Sequence, residues 1–161
     1  MPQDMSGGPH HHRGAAPVGY MHELDPIEAG AVQYLRLWCS GPEHKLQIWD
    51  ELMAALGPCD GRSTYETFES MCSLFTRYAR RPMMRHHVSC KCLGADESCF
   101  ANFVGYASEG AREDAFLLAV NLVRPDVAAS LVSMGEAFGM ALRRAVAKTN
   151  LAEPRPAATV H

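Results

Sequence analysis

Apolar residues recur three and four positions apart along most of the chain, which is the spacing of one face of an α-helix. Ile48, Leu52 and Leu56 show this spacing after Pro42. Glycine and proline residues separate six such segments, and no segment alternates convincingly as a strand would. Short connections between amphipathic helices favour antiparallel neighbours. The pattern therefore predicts an all-α fold, a single domain of about six short-to-medium helices in an orthogonal or bundle-like arrangement.

Several helix boundaries can be predicted from capping residues. Asp25 stands before Pro26, the order typical of an N-cap followed by a proline at the first helical position. Ser63 and Glu66 fit a capping box, which predicts that a third helix opens there. Asp96 is the predicted cap of the fourth helix and lies near the end of a segment rich in cysteine and histidine.

The two ends of the chain differ in composition from the helical part. The first residues are polar and rich in glycine, proline and histidine, and the last are dominated by proline and small residues. We predict a disordered tail over 1–22 and another over 150–161. The helical domain is then expected over 23–149, with the Cys/His segment at 85–99.

Charge and hydropathy narrow the class of protein. The 161 residues carry a formal net charge of −3, whereas nonspecific nucleic-acid binding usually requires a basic excess. No apolar stretch reaches the roughly 20 residues that span a bilayer, and the N-terminus lacks the apolar core of a secretory signal. A cytoplasmic protein is expected, in which the six cysteines stay reduced and are metal-binding, redox-active or buried.

The Cys/His segment is the strongest chemical signal in the sequence. Thiolates and imidazoles crowded on an irregular segment are the ligands that zinc prefers. His87, Cys90, Cys92 and Cys99 can reach one point, since alternate residues of an extended segment share a face. The sequence therefore predicts a Zn²⁺ site from these four residues, with two alternative ligands, His86 and Asp96.

Three roles remain open for this segment, and the catalytic residues are unknown. A closed four-ligand zinc site would be structural or regulatory, and this role needs the fewest assumptions. Alternatively, Cys90 and Cys92 would form the reactive pair of a thiol redox protein or sensor, with nearby basic residues favouring the thiolate. A third alternative is a metal-dependent hydrolase with an open zinc position, for which Glu97 is the local candidate base.

Two further patterns bear on partners. Arg77, Arg81 and Arg85 lead into the Cys/His segment, and they indicate either a protein partner or a small anion, or simply cations at a helix C-terminus. Gly135 and Gly139 lie four positions apart in the sixth segment and predict close helix packing. Such a face is also compatible with a homodimer.

Overall fold

The protein is an all-α domain, as the periodicity predicted. A computed structural model describes residues 13–152, and within that range the chain forms six helices and one small two-stranded sheet. The helices are α1 (Pro26–Trp38), α2 (Pro42–Leu56), α3 (Pro58–Tyr78), α4 (Ala95–Ser108), α5 (Arg112–Leu122) and α6 (Pro125–Ala152). The strands are β1 (Pro17–Tyr20) and β2 (Cys92–Gly94). No helix in this described range is long and apolar enough to cross a bilayer.

The first helix begins where its capping residues predicted. The Asp25 carboxylate accepts hydrogen bonds from the backbone N–H groups of Ile27 and Glu28, both at 2.8 Å. These bonds satisfy two of the N–H groups that a helix start leaves without partners. Pro26 occupies the first helical position, where no N–H is needed.

The start of α3 differs from the sequence prediction. The helix begins at Pro58 rather than near Ser63, so a single residue, Gly57, joins α2 to α3. Gly57 adopts a φ of +85°, which lets the chain reverse between two helices in one step. Ser63 does not cap the helix. Its carbonyl accepts a hydrogen bond from Thr67 Oγ1, four residues later, as is common for residues inside a helix.

The core lies where α6 packs against α3 and α4. Phe68 of α3 stacks on Phe138 of α6 with ring centroids 4.9 Å apart, and Trp38 of α1 meets Phe68 edge-on at 5.7 Å. Gly135 and Gly139 confirm the predicted close packing. A Cβ atom at either position would lie within 2.6 Å of an α4 side chain.

The N-terminal segment differs from the prediction of a tail ending at residue 22. Residues 13–23 form two single turns of 3₁₀ helix, with β1 between them. β1 pairs antiparallel with β2, and two further backbone bonds, Ala95 N–H to the Ala16 carbonyl and Met21 N–H to the Lys91 carbonyl, continue the contact. Residues 1–12 and 153–161, which make up the rest of the two predicted tails, lie outside the described residues. Through these backbone bonds, residues 16–21 pack against the C-terminal part of the Cys/His segment.

Candidate functional site

The chain leaves α3 at Tyr78, enters the predicted Cys/His segment at residue 85 and reaches α4 through the strand β2. The central part of the segment closes a tight turn in which the Cys90 N–H donates to the His87 carbonyl at 2.9 Å. Cys92 opens β2, and Cys99 lies inside α4. The helix begins at Ala95 with Gly94 as its cap, so Asp96 stands one position inside the helix rather than before it.

A buried ion pair lies beneath this segment, and the sequence analysis did not find it. Arg36 of α1 and Glu97 of α4 are 1 % and 0 % exposed. Arg36 Nε and Nη2 donate to the two Glu97 carboxylate oxygens at 2.7 and 2.8 Å, which is the two-bond geometry of the strongest such pairs. The burial of Arg36 could have been predicted from its position on α1. Arg36 follows the buried Val32 by one helical turn and so lies on the same face of the helix.

Arg36 also holds the backbone on both sides of Lys91. Its Nη1 donates to the Cys90 carbonyl at 2.6 Å, and its Nη2 donates to the Cys92 carbonyl at 2.7 Å. The Cys90–Cys92 stretch is not helical, and in an extended chain both the carbonyls and the side chains of residues two apart point to the same side. Arg36 therefore fixes the two thiols on one side of the segment.

The pKa of Cys92 reflects this proximity. Desolvation raises the pKa of the Cys92 thiol above its ordinary value, and the neighbouring Cys90 thiol raises it further. The positive charge of Arg36 acts in the opposite direction. The Cys92 thiol thus holds its proton more tightly than a free cysteine.

The imidazole next to these thiols belongs to His86. Cys90 Sγ lies 3.7 Å from His86 Nδ1, and His86 Nε2 lies 2.9 Å from the Ala15 carbonyl oxygen. A carbonyl can only accept, so Nε2 carries the hydrogen and the Nδ1 of a neutral ring is free to accept a proton. Gly94 leaves room for this ring, because a Cβ at that position would lie 3.0 Å from His86 Cδ2 and the ring would have to shift.

Two of the four predicted zinc ligands, His87 and Cys99, make their contacts away from Cys90, Cys92 and His86. His87 is exposed, and its Nδ1 is 2.9 Å from Ser89 Oγ. Cys99 packs against the hydrophobic core, with its Sγ 4.0 Å from the Leu118 carbonyl oxygen. Burial raises the pKa of Cys99, as does Asp96, while Arg81 lowers it.

The alternative ligand Asp96 is occupied by other bonds. Its carboxylate accepts two bonds from Arg81, at 2.8 and 2.5 Å, and one from the Met84 N–H at 2.8 Å. Across residues 13–152, no three His, Cys, Asp or Glu side chains are placed so that they could hold a metal ion as they stand. Zinc coordination by the four predicted residues therefore stays a prediction.

Glu97, the candidate base of the hydrolase alternative, is held by other groups. Besides Arg36, it accepts bonds from the backbone N–H groups of His86 and Gly94, both at 3.0 Å. Desolvation acts to raise the pKa of Glu97, but the bonds from Arg36, Gly94 and His86 outweigh it and lower the pKa below its ordinary value of 4.5. The carboxylate is thus a structural anion, with both oxygens engaged.

A pH dependence of stability follows from Glu97. Because its pKa is lower in the folded state, its contribution is complete above the unfolded value near 4.5 and is lost as the pH falls through the folded value. We expect the free energy of unfolding, measured with urea between pH 6 and about pH 3, to fall less steeply in Glu97→Gln than in the wild type. Glu66→Gln, at an exposed carboxylate, should keep the wild-type slope; identical slopes for all three proteins would contradict the prediction.

Comparison with known proteins adds no relative. The chain matches no protein-family model, and neither the curated proteins nor the solved structures show a significant similarity to it. The class that fold and site define is an all-α domain with a Cys-x-Cys thiol pair, an adjacent imidazole and a buried arginine–glutamate pair.

Proposed function

We propose that this protein is a thiol redox protein or sensor, in which Cys90 is the reactive thiol and Cys92 is its partner. One observation carries the proposal: Cys90 Sγ faces the proton-accepting nitrogen of His86, whose other nitrogen is fixed by the Ala15 carbonyl. A nucleophile, a base and a group that orients the base form the usual arrangement of an activated cysteine. Both thiols are partly exposed, so a second sulfur compound can reach them.

The chemistry begins with proton transfer from Cys90 to His86 Nδ1. The resulting thiolate, and not the thiol, attacks sulfur. The imidazolium beside it stabilises the negative charge, and the Ala15 carbonyl accepts the Nε2–H in either protonation state of the ring. Cys92, whose pKa is raised, stays protonated at this stage.

We propose that the oxidant is a disulfide, either of a small thiol or of a protein. The Cys90 thiolate attacks one sulfur, forming a mixed disulfide and releasing a thiolate that takes up the proton from His86. Cys92 then loses its proton and attacks Cys90 Sγ, which breaks the mixed disulfide and releases the second thiol. Two electrons pass from the protein to the substrate, and the protein is left with a Cys90–Cys92 disulfide. In the predicted cytoplasmic location, the reducing thiols of that compartment would reduce the disulfide back to the dithiol.

The rate of alkylation tests the proposal. With iodoacetamide near neutral pH and mass spectrometry to assign each site, Cys90 should react faster than the exposed Cys59. His86→Ala should slow Cys90 by at least about tenfold, the low end of what a positioned base contributes. His87→Ala is the matched control, since His87 faces Ser89 instead, and Cys90 should keep its rate. The proposal fails if Cys90 reacts no faster than Cys59, or if the two histidine variants behave alike.

Zinc binding is the second candidate, with His86 in place of His87. Tetrahedral bonds of about 2.3 Å to sulfur and 2.0–2.1 Å to nitrogen set a sulfur–nitrogen distance of about 3.6 Å, close to the 3.7 Å between Cys90 and His86. The Nε2–H of a zinc-bound histidine also commonly donates to a carbonyl. His86, Cys90 and Cys92 would supply three ligands, but they would have to turn toward a common point. This requirement places zinc second to redox chemistry.

Metal analysis separates the two candidates. Zinc binding predicts about one zinc per chain in purified protein, lost in Cys90→Ser and in His86→Ala. Cys99→Ser is a control that also tests the original four-ligand set, because zinc should be retained if His86 is the imidazole ligand and Cys99 takes no part. If the purified protein is free of metal and Cys90 reacts fast, the redox function is the one candidate that remains.

A further inference from the structure

A cavity lies between the C-terminal ends of α1 and α3 and the loop that follows α3. Its volume is about 470 Å³, within the range of 300–1,000 Å³ that is typical of small-molecule sites. The interior is apolar and is formed mainly by Leu35, Trp38, Cys72, Phe75 and Met83. Burial, with the nearby Cys39 thiol, raises the pKa of Cys72 well above its ordinary value, so this side chain remains an uncharged part of the wall.

The polar lining of this cavity is cationic. Arg80, Arg81 and Arg85 belong to the lining, and none of the other lining side chains is acidic. Arg81 is neutralised by its two bonds to Asp96. Arg85 makes one bond, from Nη2 to the Cys39 carbonyl at 3.1 Å, and the Arg80 guanidinium has no hydrogen-bond or ion-pair partner among residues 13–152. Within the part of the chain that the structure describes, two positive charges at the cavity therefore have no acidic partner.

Helix capping alone does not account for these arginines. Cations near helix C-termini interact favourably with the last carbonyls, and Arg85 does so at the end of α1. Arg80, however, bonds no carbonyl of residues 13–152 with its side chain, although it lies only two positions beyond the end of α3. Arg80 and Arg85 are exposed and solvated, but both stand at the mouth of an apolar cavity. A ligand that has both an apolar body and a negative charge would use the two features together.

We propose that this cavity binds a small organic acid with an apolar chain, of the size of a medium-chain carboxylate. The chain would pack against Trp38 and Phe75, and the carboxylate would bond Arg80 and Arg85, for which a planar two-oxygen anion is a matched partner. The assignment is independent of the thiol chemistry, because neither Cys90 nor His86 lines the cavity.

Titration with octanoate tests this site. The chain has two tryptophans, so Trp49→Phe leaves Trp38 as the only fluorophore of its kind, placed in the cavity wall. Octanoate should change the Trp38 emission and saturate. Octylamine, which has the same chain and the opposite charge, should not bind, and 1-octanol should bind at least about tenfold more weakly, the loss expected for one charge-assisted hydrogen bond.

Variants separate the charge from the apolar wall. The double variant Arg80→Gln/Arg85→Gln should raise the octanoate Kd by about tenfold or more, since hydrogen bonds to charged groups are lost. Arg77→Gln is the matched control, because Arg77 is an exposed arginine of α3 outside the lining, and it should leave the Kd unchanged. The proposal is overturned if octanoate shows no saturable binding, if all three probes bind equally, or if the double variant binds octanoate as the parent does.

Discussion

Replacing Arg36 with methionine is expected to destabilise the fold by about 3–5 kcal/mol, the usual cost of leaving one partner of a buried ion pair behind. Glu97 would remain fully buried with its main partner gone. The Cys90 and Cys92 carbonyls would lose their donor as well. Urea unfolding at neutral pH measures the change in the free energy of unfolding.

The exposed pair of Arg62 and Glu66 supplies the control for this experiment. Its N–O distance of 2.9 Å resembles that of the buried pair, but both side chains are more than half exposed. Arg62→Met should therefore change stability by no more than about 1 kcal/mol. A double variant, Arg36→Met/Glu97→Leu, should recover part of the loss because no unpaired charge remains. Equal effects at Arg36 and Arg62 would refute the role assigned to the buried pair.

Glycine-to-alanine substitutions at two helical positions should have opposite effects on stability. At Gly139, a Cβ would lie 2.6 Å from Ser108 Cβ and 3.0 Å from its Cα, so α6 and α4 must separate. Overpacking of this kind typically costs about 1–3 kcal/mol. At Gly30 of α1 the space is open, and alanine should stabilise by up to about 1 kcal/mol through its higher helix propensity.

Thermal and urea unfolding of Gly139→Ala and Gly30→Ala compare these two terms directly. Both variants remove the same glycine flexibility from a helix interior, so the difference between them isolates the contact with Ser108. A stabilised Gly139→Ala protein would show that α4 and α6 adjust to a methyl group at no cost.

The helices were predictable because each one repeats its apolar residues at helical spacing and most ends carry a proline or glycine. The capping box at Ser63 gave the wrong start for α3, because a capping box reflects only the local preference of four residues. Pro58 and Gly57 already start the helix five residues earlier. Proline is over-represented at the first helical position, so Pro58 was the better guide here.

The site was predictable only as a segment. Cys90 and Cys92 were identified because their spacing is local, and in the structure Arg36 bonds the carbonyls of both residues. The choice between His86 and His87 depends on the Ala15 carbonyl, 71 residues away from His86 in the chain. Arg36 and Glu97 are 61 residues apart, so no local pattern joins them. β1 was missed because four residues become a strand only through pairing with β2.

The antiparallel pairing of β1 with β2 changes where this domain can be cut. A fragment starting at residue 23, the predicted domain boundary, would keep all six helices and their aromatic core. It would lack the Ala15 oxygen that holds one edge of the His86 ring, leaving that imidazole free to rotate and exchange its tautomer. We therefore expect a fragment that begins at residue 23 to lose the orientation of His86 toward Cys90, and with it the activation of the Cys90 thiol.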